Sequence, residues 1–235
     1  MDKKSLRERV WDDLEASGVA RFPFPPHGRI PNFAGADDAA ARLTSLDAWQ
    51  TAATIKSNPD SPQLPVRRAA LREGTTLFVA VPRLRDADCF YRLEPGGIDD
   101  VDDATTISGL AQAGQQVGPE GVAPIDLVVS GSVAVDERGA RVGKGEGYSD
   151  LEFAILREFG LVDDETTTVT TVHDRQVVDE DLPTGTHDVP MDWIVTPERT
   201  IETGGGTTKP TGIDWGALEE ERLEEIPILR RLQAD

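Results

Sequence analysis

The stretch from Asp126 to Gly160 constrains the fold most. It opens on Asp126-Leu127-Val128-Val129-Ser130-Gly131, a short apolar run of buried-strand type. It closes on a segment with helical spacing, Leu151, Ala154, Ile155 and Leu156, stopped by Gly160. Ser149 with Glu152 has the spacing of a capping box, which predicts the helix start there. Between the two lies Arg141-Val142-Gly143-Lys144-Gly145-Glu146-Gly147-Tyr148-Ser149-Asp150. Alternate glycines allow positive φ and expose backbone N–H groups, and a helix N-terminus adds partial positive charge. With Arg141 and Lys144 alongside, the loop has the makings of a phosphate cradle. It follows neither the Walker spacing nor the dinucleotide fingerprint. A structural turn that needs several glycines is the other reading of the same residues.

The flanking pattern is that of an α/β chain. Apolar, β-branched runs are expected as strands at Ala53–Lys56, Thr75–Val81, Tyr91–Leu93, Asp126–Gly131, Thr167–Val172 and Met191–Thr196. Helices are expected over Ser5–Ala16, capped by Ser5 with Glu8, from Asp37 or Asp38 through Trp49, over Val66–Arg72, weakly over Thr105–Ala113, and at the C-terminus with a break at Pro227. Val133–Val142 reads as a hairpin about Asp136–Gly139, and Gly204-Gly205-Gly206 as a turn. Strands of buried type alternating with helices predict a sheet covered on both faces. A length of 235 residues without a long linker is read as one domain spanning 1–235.

Charge and cysteine content narrow the function classes. The formal net charge is −19, which opposes a sequence-independent grip on nucleic acid or an anionic membrane. Only five of the 24 basic residues are lysines, a composition resembling that of proteins from salt-loving cytoplasm. The single cysteine, Cys89, excludes an intrachain disulfide. No apolar run reaches the ~18 residues of a membrane span, so a cytoplasmic protein is expected, as monomer or homodimer.

Several residues outside the loop are site candidates. Arg83, in Pro82-Arg83-Leu84-Arg85, follows a predicted strand, where ligands of open α/β sheets sit. Arg29 and Asn32, in Arg29-Ile30-Pro31-Asn32-Phe33, either face a ligand or merely flank Ile30 and Phe33 as these pin a long loop. Asp150, beside the glycines, is either a divalent-ion ligand or a charge that complements the helix dipole. His173-Asp174 and His187-Asp188 read as local hydrogen-bonding pairs.

Residues Asp126–Asp150 resemble the glycine-rich signature of the 5-formyltetrahydrofolate cyclo-ligase (methenyltetrahydrofolate synthetase) family: apolar strand, Gly, a stretch ending in Asp, Gly-x-Arg, alternating glycines, Tyr, Asp. Lys3-Lys4-Ser5-Leu6-Arg7, Pro82-Arg83 and His187-Asp188 through Asp192, Ile194 and Thr196 resemble further family stretches in the same order. The likeness is closer to the methenyltetrahydrofolate synthetase domain-containing subgroup, through Arg29–Phe33, Pro82–Arg85, Gly143–Tyr148, Val172-His173-Asp174 and Lys209–Ile213.

The resemblance implies a three-layer α/β/α fold with a mostly parallel sheet. It implies cyclisation of 5-formyltetrahydrofolate to 5,10-methenyltetrahydrofolate, with ATP and Mg²⁺. A non-catalytic module that binds nucleotide or folate on the same fold is the alternative. Carried over by position, ATP meets Lys3, Arg7, Arg141, Gly143, Lys144, Gly145, Glu146, Gly147 and Tyr148. Arg141 and Lys144 are then the catalytic cations, Asp150 helps hold Mg²⁺, and Arg29, Asn32 and Arg83 face the folate. The chain departs from the family pattern at Glu146, where glycine is usual, at Ser149, where a second aromatic is usual, and at Val135, where an aromatic often precedes the Asp.

Overall fold

A computed structural model describes residues 2–204 and 208–234. Eight strands form one sheet in the spatial order Thr200–Glu202, Trp193–Val195, Thr167–Thr171, Leu127–Ser130, Thr54–Ser57, Thr76–Ala80, Phe90–Leu93, Gln115–Val117. The strands from Trp193–Val195 to Thr76–Ala80 are mutually parallel, and antiparallel strands finish both edges. The three-layer, mostly parallel α/β fold is therefore as expected.

Both faces are covered, and side-chain alternation decides which residue meets which layer. Ile55, Leu77, Leu127, Val129 and Val169 pack against Leu43, Trp49, Val66 and Leu71 on one side. Phe78 and Val128 pack on the other side with Phe153 and Ile155 of helix Tyr148–Glu158 and Ile228 and Leu229 of the C-terminal helix. Helix Lys3–Ala16 buries Leu6, Val10, Trp11 and Leu14 elsewhere, against Val133 and against Ala134, Val142 and Val178 of a small three-stranded sheet. In that sheet Ala134–Asp136 and Arg141–Val142 pair antiparallel, which is the expected hairpin.

Helix boundaries differ from expectation where a neighbouring side chain competes for the backbone. The first helix starts at Lys3, and Asp2 caps it by accepting from the Lys4 and Ser5 N–H groups at 2.9 and 3.0 Å. The predicted Ser5 cap is thus displaced three residues upstream. The helix expected through Trp49 is two helices, Ala36–Leu43 and Asp47–Thr51. Between them the Thr44 and Ser45 hydroxyls both bond back to the Ala41 carbonyl, competing with helical continuation. The weak Thr105–Ala113 helix forms as Ile107–Ala113, capped by Thr106, and a separate short helix that was not expected, Val101–Ala104, precedes it. Pro227 separates Glu220–Glu225 from Pro227–Ala234, as its missing N–H requires. The expected glycine turn lies partly outside the described residues, at Gly205 and Gly206. Among the described residues, no helix is long and apolar enough to cross a membrane.

Candidate active site

The strand order reverses between Thr54–Ser57 and Leu127–Ser130. The chain runs from the first toward one sheet edge and from the second toward the other. In open α/β sheets this switch opens a crevice at the strand C-termini. A cleft of about 260 Å³ lies at this end, and the residues that follow the two strands, Asn58 and Gly131, both line it. They are joined directly, the Gly131 N–H donating to Asn58 Oδ1 at 2.9 Å. A Cβ on Gly131 would sit 3.0 Å from Gln63 Oε1 and Ile30 Cγ2, so the close approach suits glycine.

Beneath the cleft is an ion pair that sequence reading missed. Lys56 alternates to the same face as its cross-strand neighbours Phe78 and Val128, under helix Tyr148–Glu158. Its ammonium donates to Glu152, which also accepts from Asn58 Nδ2 at 3.0 Å. Ser149, predicted to cap this helix, donates instead to Asn58 Oδ1 at 3.1 Å and Ser130 Oγ at 3.3 Å. The helix begins one residue earlier, at Tyr148, after a left-handed Gly147. The Ser149–Glu152 spacing thus serves two tertiary contacts and no cap. Arg67 fixes the loop after Thr54–Ser57: Nη1 donates to the Asn58 and Asp60 carbonyls at 2.7 and 3.0 Å, and Nε to the Thr105 carbonyl at 3.0 Å. Burial pulls its guanidinium down to about 10.

The wall of the cleft is the glycine loop and its cations. Arg141, buried, donates through Nη1 to the Gly131 carbonyl at 2.9 Å and through Nη2 to Asp150 Oδ1 at 2.8 Å. Asp150 Oδ1 also accepts from the Val189 N–H at 3.0 Å, and Oδ2 accepts no bond among the described residues. Arg7 crosses from the first helix, its Nε donating to the Gly143 carbonyl at 2.7 Å. Desolvation lowers the Arg7 pKa from its ordinary value. Gly145 stands at φ 108°, and a Cβ there would lie 3.2 Å from the Arg7 guanidinium carbon. Lys144 and Glu146 pair at 2.8 Å on the rim. Arg83 lines the opposite side with φ 59°, followed by Leu84 at φ 52°. Two successive non-glycine residues in the left-handed region cost of order 1–3 kcal/mol each and occur where surroundings enforce them.

Beyond the loop is a second cleft of about 360 Å³, which shares Glu146, Gly147 and Asp150 with the first. The C-terminal segment builds its far wall with Ile213, Leu218 and Arg222. Arg222 donates to the Glu146 carbonyl and its guanidinium carbon lies 4.5 Å from the Tyr148 ring centroid. It thereby clamps both ends of Glu146–Tyr148.

The expected site residues thus gather unevenly. Arg141, Gly143, Lys144, Glu146, Gly147, Tyr148, Asp150 and Arg83 share the main cleft, and Gly145 lines the second. Arg7 braces the loop from behind. Lys3 pairs with Asp188 at 2.6 Å, in the segment that also carries His187 of the second cleft. From Arg29–Phe33, Ile30 is the residue that lines the main cleft. The Arg29 carbonyl accepts from Trp11 Nε1, and the Asn32 side chain bonds to the Phe22 carbonyl and the Phe33 N–H. Val135 is buried with Val172 and Ile194, away from both clefts. Lys56, Asn58, Asp60, Glu152 and Arg222 went unread. Asn58 and Asp60 had a usable signal: like Arg83, they follow a predicted strand.

A sequence model of the 5-formyltetrahydrofolate cyclo-ligase family matches residues 2–197. The chain belongs to this family. The methenyltetrahydrofolate synthase domain-containing protein of Mus musculus is 46% identical over 237 residues, covering 99% of this chain and 63% of that protein. Its Bos taurus counterpart is 44% identical over 239 residues, covering 99% and 62%. The chain therefore spans less than two thirds of the length of these curated relatives. The NMR structure of Aquifex aeolicus 5,10-methenyltetrahydrofolate synthetase shares the fold, with a TM-score of 0.56 at 21% identity over 88% of this chain and 96% of that one. The match ends at residue 197, so the wall of the second cleft supplied by Ile213, Leu218 and Arg222 lies beyond the part matched by the family model.

Proposed function

We propose that the chain catalyses ATP-dependent cyclisation of 5-formyltetrahydrofolate to 5,10-methenyltetrahydrofolate. The observation that carries this reading is the glycine loop Gly143–Gly147, set between Arg7, Lys144 and Arg141 at the mouth of a cleft at the sheet's switch point. Phosphoryl transfer needs charge neutralisation and fixed in-line geometry, which such a cradle offers. In a chain of net charge −19, a local cluster of cations around exposed backbone N–H groups is the natural anion site.

Each residue then has a task. The loop N–H groups and Lys144 receive the transferring phosphate. Arg7 holds the loop through the Gly143 carbonyl, and Arg141 ties the loop wall to the end of the central strand through the Gly131 carbonyl. Lys3 orders the neighbouring segment through Asp188. Arg83, which joins no ion pair among the described residues, meets an anionic group of the folate. Arg29 and Asn32 act through the loop that presents Ile30.

The residues fit a Mg²⁺ ion carried in with the nucleotide. No group of three or more His, Cys, Asp or Glu among the described residues forms a cage, and Mg²⁺ is commonly held by one or two carboxylates plus substrate phosphates. Asp150 Oδ2, which accepts no hydrogen bond among the described residues and lies at the junction of both clefts, is the carboxylate oxygen that would hold it. When bound, the ion would neutralise phosphate charge.

The test is direct. Protein, ATP, Mg²⁺ and 5-formyltetrahydrofolate are incubated at high KCl, which suits the acidic surface, and methenyl absorbance is followed. ATP-dependent growth of that absorbance is expected. Its absence, with calorimetric ATP binding intact, selects the non-catalytic binding module instead.

A further inference from the structure

Four carboxylates line the main cleft, those of Asp60, Glu146, Asp150 and Glu152. Three are engaged. Glu152 holds Lys56 and Asn58, Asp150 holds Arg141 and the Val189 N–H, and Glu146 holds Lys144. Asp60 differs. It stands at the N-cap of the short turn Ser61–Gln63 without capping it, and among the described residues its carboxylate accepts no hydrogen bond and joins no ion pair. Its backbone, by contrast, is fixed: the carbonyl accepts from Arg67 Nη1 at 3.0 Å and from the Gln63 N–H at 3.2 Å. A rigidly mounted carboxylate with no structural task, at the C-terminal end of a central strand, is a group held for chemistry.

The reaction proposed above has a step that needs one. The formyl oxygen attacks the γ-phosphorus, the new O–P bond forms, the bond to the bridging oxygen breaks, and ADP leaves. The folate nitrogen at position 10 then attacks the activated carbon. As that C–N bond forms, the nitrogen must lose its proton. The C–O bond finally breaks with its electron pair on the departing phosphate, leaving the methenyl cation. Of the cations that line the cleft, Lys144 serves the phosphate, Arg83 the folate and Arg141 the loop wall, and none of them can accept a proton while charged. We propose that Asp60 is the general base that takes the proton from the position-10 nitrogen during ring closure.

The surroundings suit that role. Burial pushes the Asp60 carboxyl above its ordinary value, Glu152 pushes it further, and Lys144, Arg67 and Lys56 pull it back. A carboxyl whose pKa is raised is a stronger proton acceptor than an ordinary aspartate, and the cations near it favour its ionised form.

This inference rests on the cyclo-ligase reading, and the experiment separates the two. Wild type, Asp60→Asn and Asp60→Glu are compared by methenyl formation across pH, with ATP binding by calorimetry. Asp60→Asn should lower kcat by about 100-fold or more, with the folate KM and ATP affinity within about threefold of wild type. Asp60→Glu should restore part of kcat. The wild-type kcat should fall on the acid side with an apparent pKa above that of an ordinary aspartate, and Asp60→Asn should lack that limb. A folded Asp60→Asn with near-wild-type kcat and an unchanged acid limb overturns the proposal alone. If wild type forms no methenyl product, the cyclo-ligase reading falls and this proposal with it. Should Asp60→Asn fail to fold, the wild-type profile decides, and a profile without an acid limb above the ordinary aspartate range overturns the proposal.

Discussion

Lys56 and Glu152 join beneath the cleft, whereas Lys144 and Glu146 join on its rim, and the two pairs share chemistry but not environment. The lower side chains are 1% and 7% exposed, the upper ones 36% and 39%. The lower pair spans 96 residues of sequence, tying a central strand to the helix over it. The upper pair closes within the glycine loop. A buried charge whose partner is removed is uncompensated in a low-dielectric site, while an exposed pair gains little over its separate hydration. The lower pair is therefore architecture, and the upper pair is exchangeable: Lys144 can trade Glu146 for a phosphate at small cost.

Removing one partner of each pair is the largest way to break this contrast. Lys56→Met should destabilise the fold by about 3–5 kcal/mol, because Glu152 would keep only Asn58 as a donor. The double variant Lys56→Met/Glu152→Met should recover much of that loss. Lys144→Met should change stability by no more than about 1 kcal/mol. Urea unfolding of the variants reads all three. A Lys56→Met protein as stable as wild type would show that the buried pair is not what holds strand to helix.

How far the sequence reached follows the same division. The strands and their covered faces were legible because side-chain alternation and β-branched runs are local signals, and the glycine loop announced itself by composition. The pair beneath the cleft was not legible, since Lys56 at the end of an apolar run carries no mark of Glu152. Ser149 and Glu152 have capping-box spacing, yet Gly147 in the left-handed region starts the helix a residue early and frees both for the strand ends. Arg222 reaches Glu146 across 76 residues, from a segment read only as an acidic helix. Asp2 displaced Ser5 as cap for the opposite reason, a local competitor one turn upstream.

The glycine loop gives the next largest effect, and its glycines are not equivalent. Gly145 combines φ 108° with a Cβ position 3.2 Å from the Arg7 guanidinium. Gly143 has no positive φ, and its Cβ would meet only Arg141 Nη1 at 3.3 Å. Gly145→Val should weaken ATP binding by roughly ten- to a hundredfold, the loss of about one charge-assisted contact at 1.5–3 kcal/mol. Gly143→Ala should cost distinctly less. Calorimetry on folded variants checks the order, and equal effects at both positions would sink the claim that Arg7 and Gly145 shape the cradle together.

Asp60 gives a smaller effect of opposite sign. Its folded-state pKa is raised, chiefly by burial, so the folded protein holds this proton to higher pH than the unfolded chain. The stability that the protonated form contributes is complete below the unfolded value, near 3.9, and is lost as pH rises through the folded one. Asp60→Asn, which cannot ionise, should therefore melt higher than wild type at pH 7, with the difference shrinking toward pH 3. A variant that melts lower at pH 7 would place Asp60 among the structural carboxylates with Glu152.

The rim pair gives the smallest effect. Burial alone would pull the Lys144 ammonium down, but its hydrogen bond to Glu146 and the carboxylates of Asp60, Glu146 and Glu152 hold it above its ordinary value. Lys144 is thus a charged donor already pointed at an anion, and Glu146 occupies the place an incoming phosphate would take. Glu146→Gly removes that competitor and leaves the Glu146 carbonyl contact to Arg222 intact, because the backbone makes it. The variant should bind ATP equally or a few-fold tighter, with stability changed by no more than about 1 kcal/mol. Its affinity should also fall more steeply with KCl, since one more unscreened cation then faces the phosphates. Titrations at low and high KCl test both statements. If Glu146→Gly weakens ATP binding tenfold or more, the Glu146 carboxylate is itself a ligand, and the rim pair is part of the binding machinery in both its members.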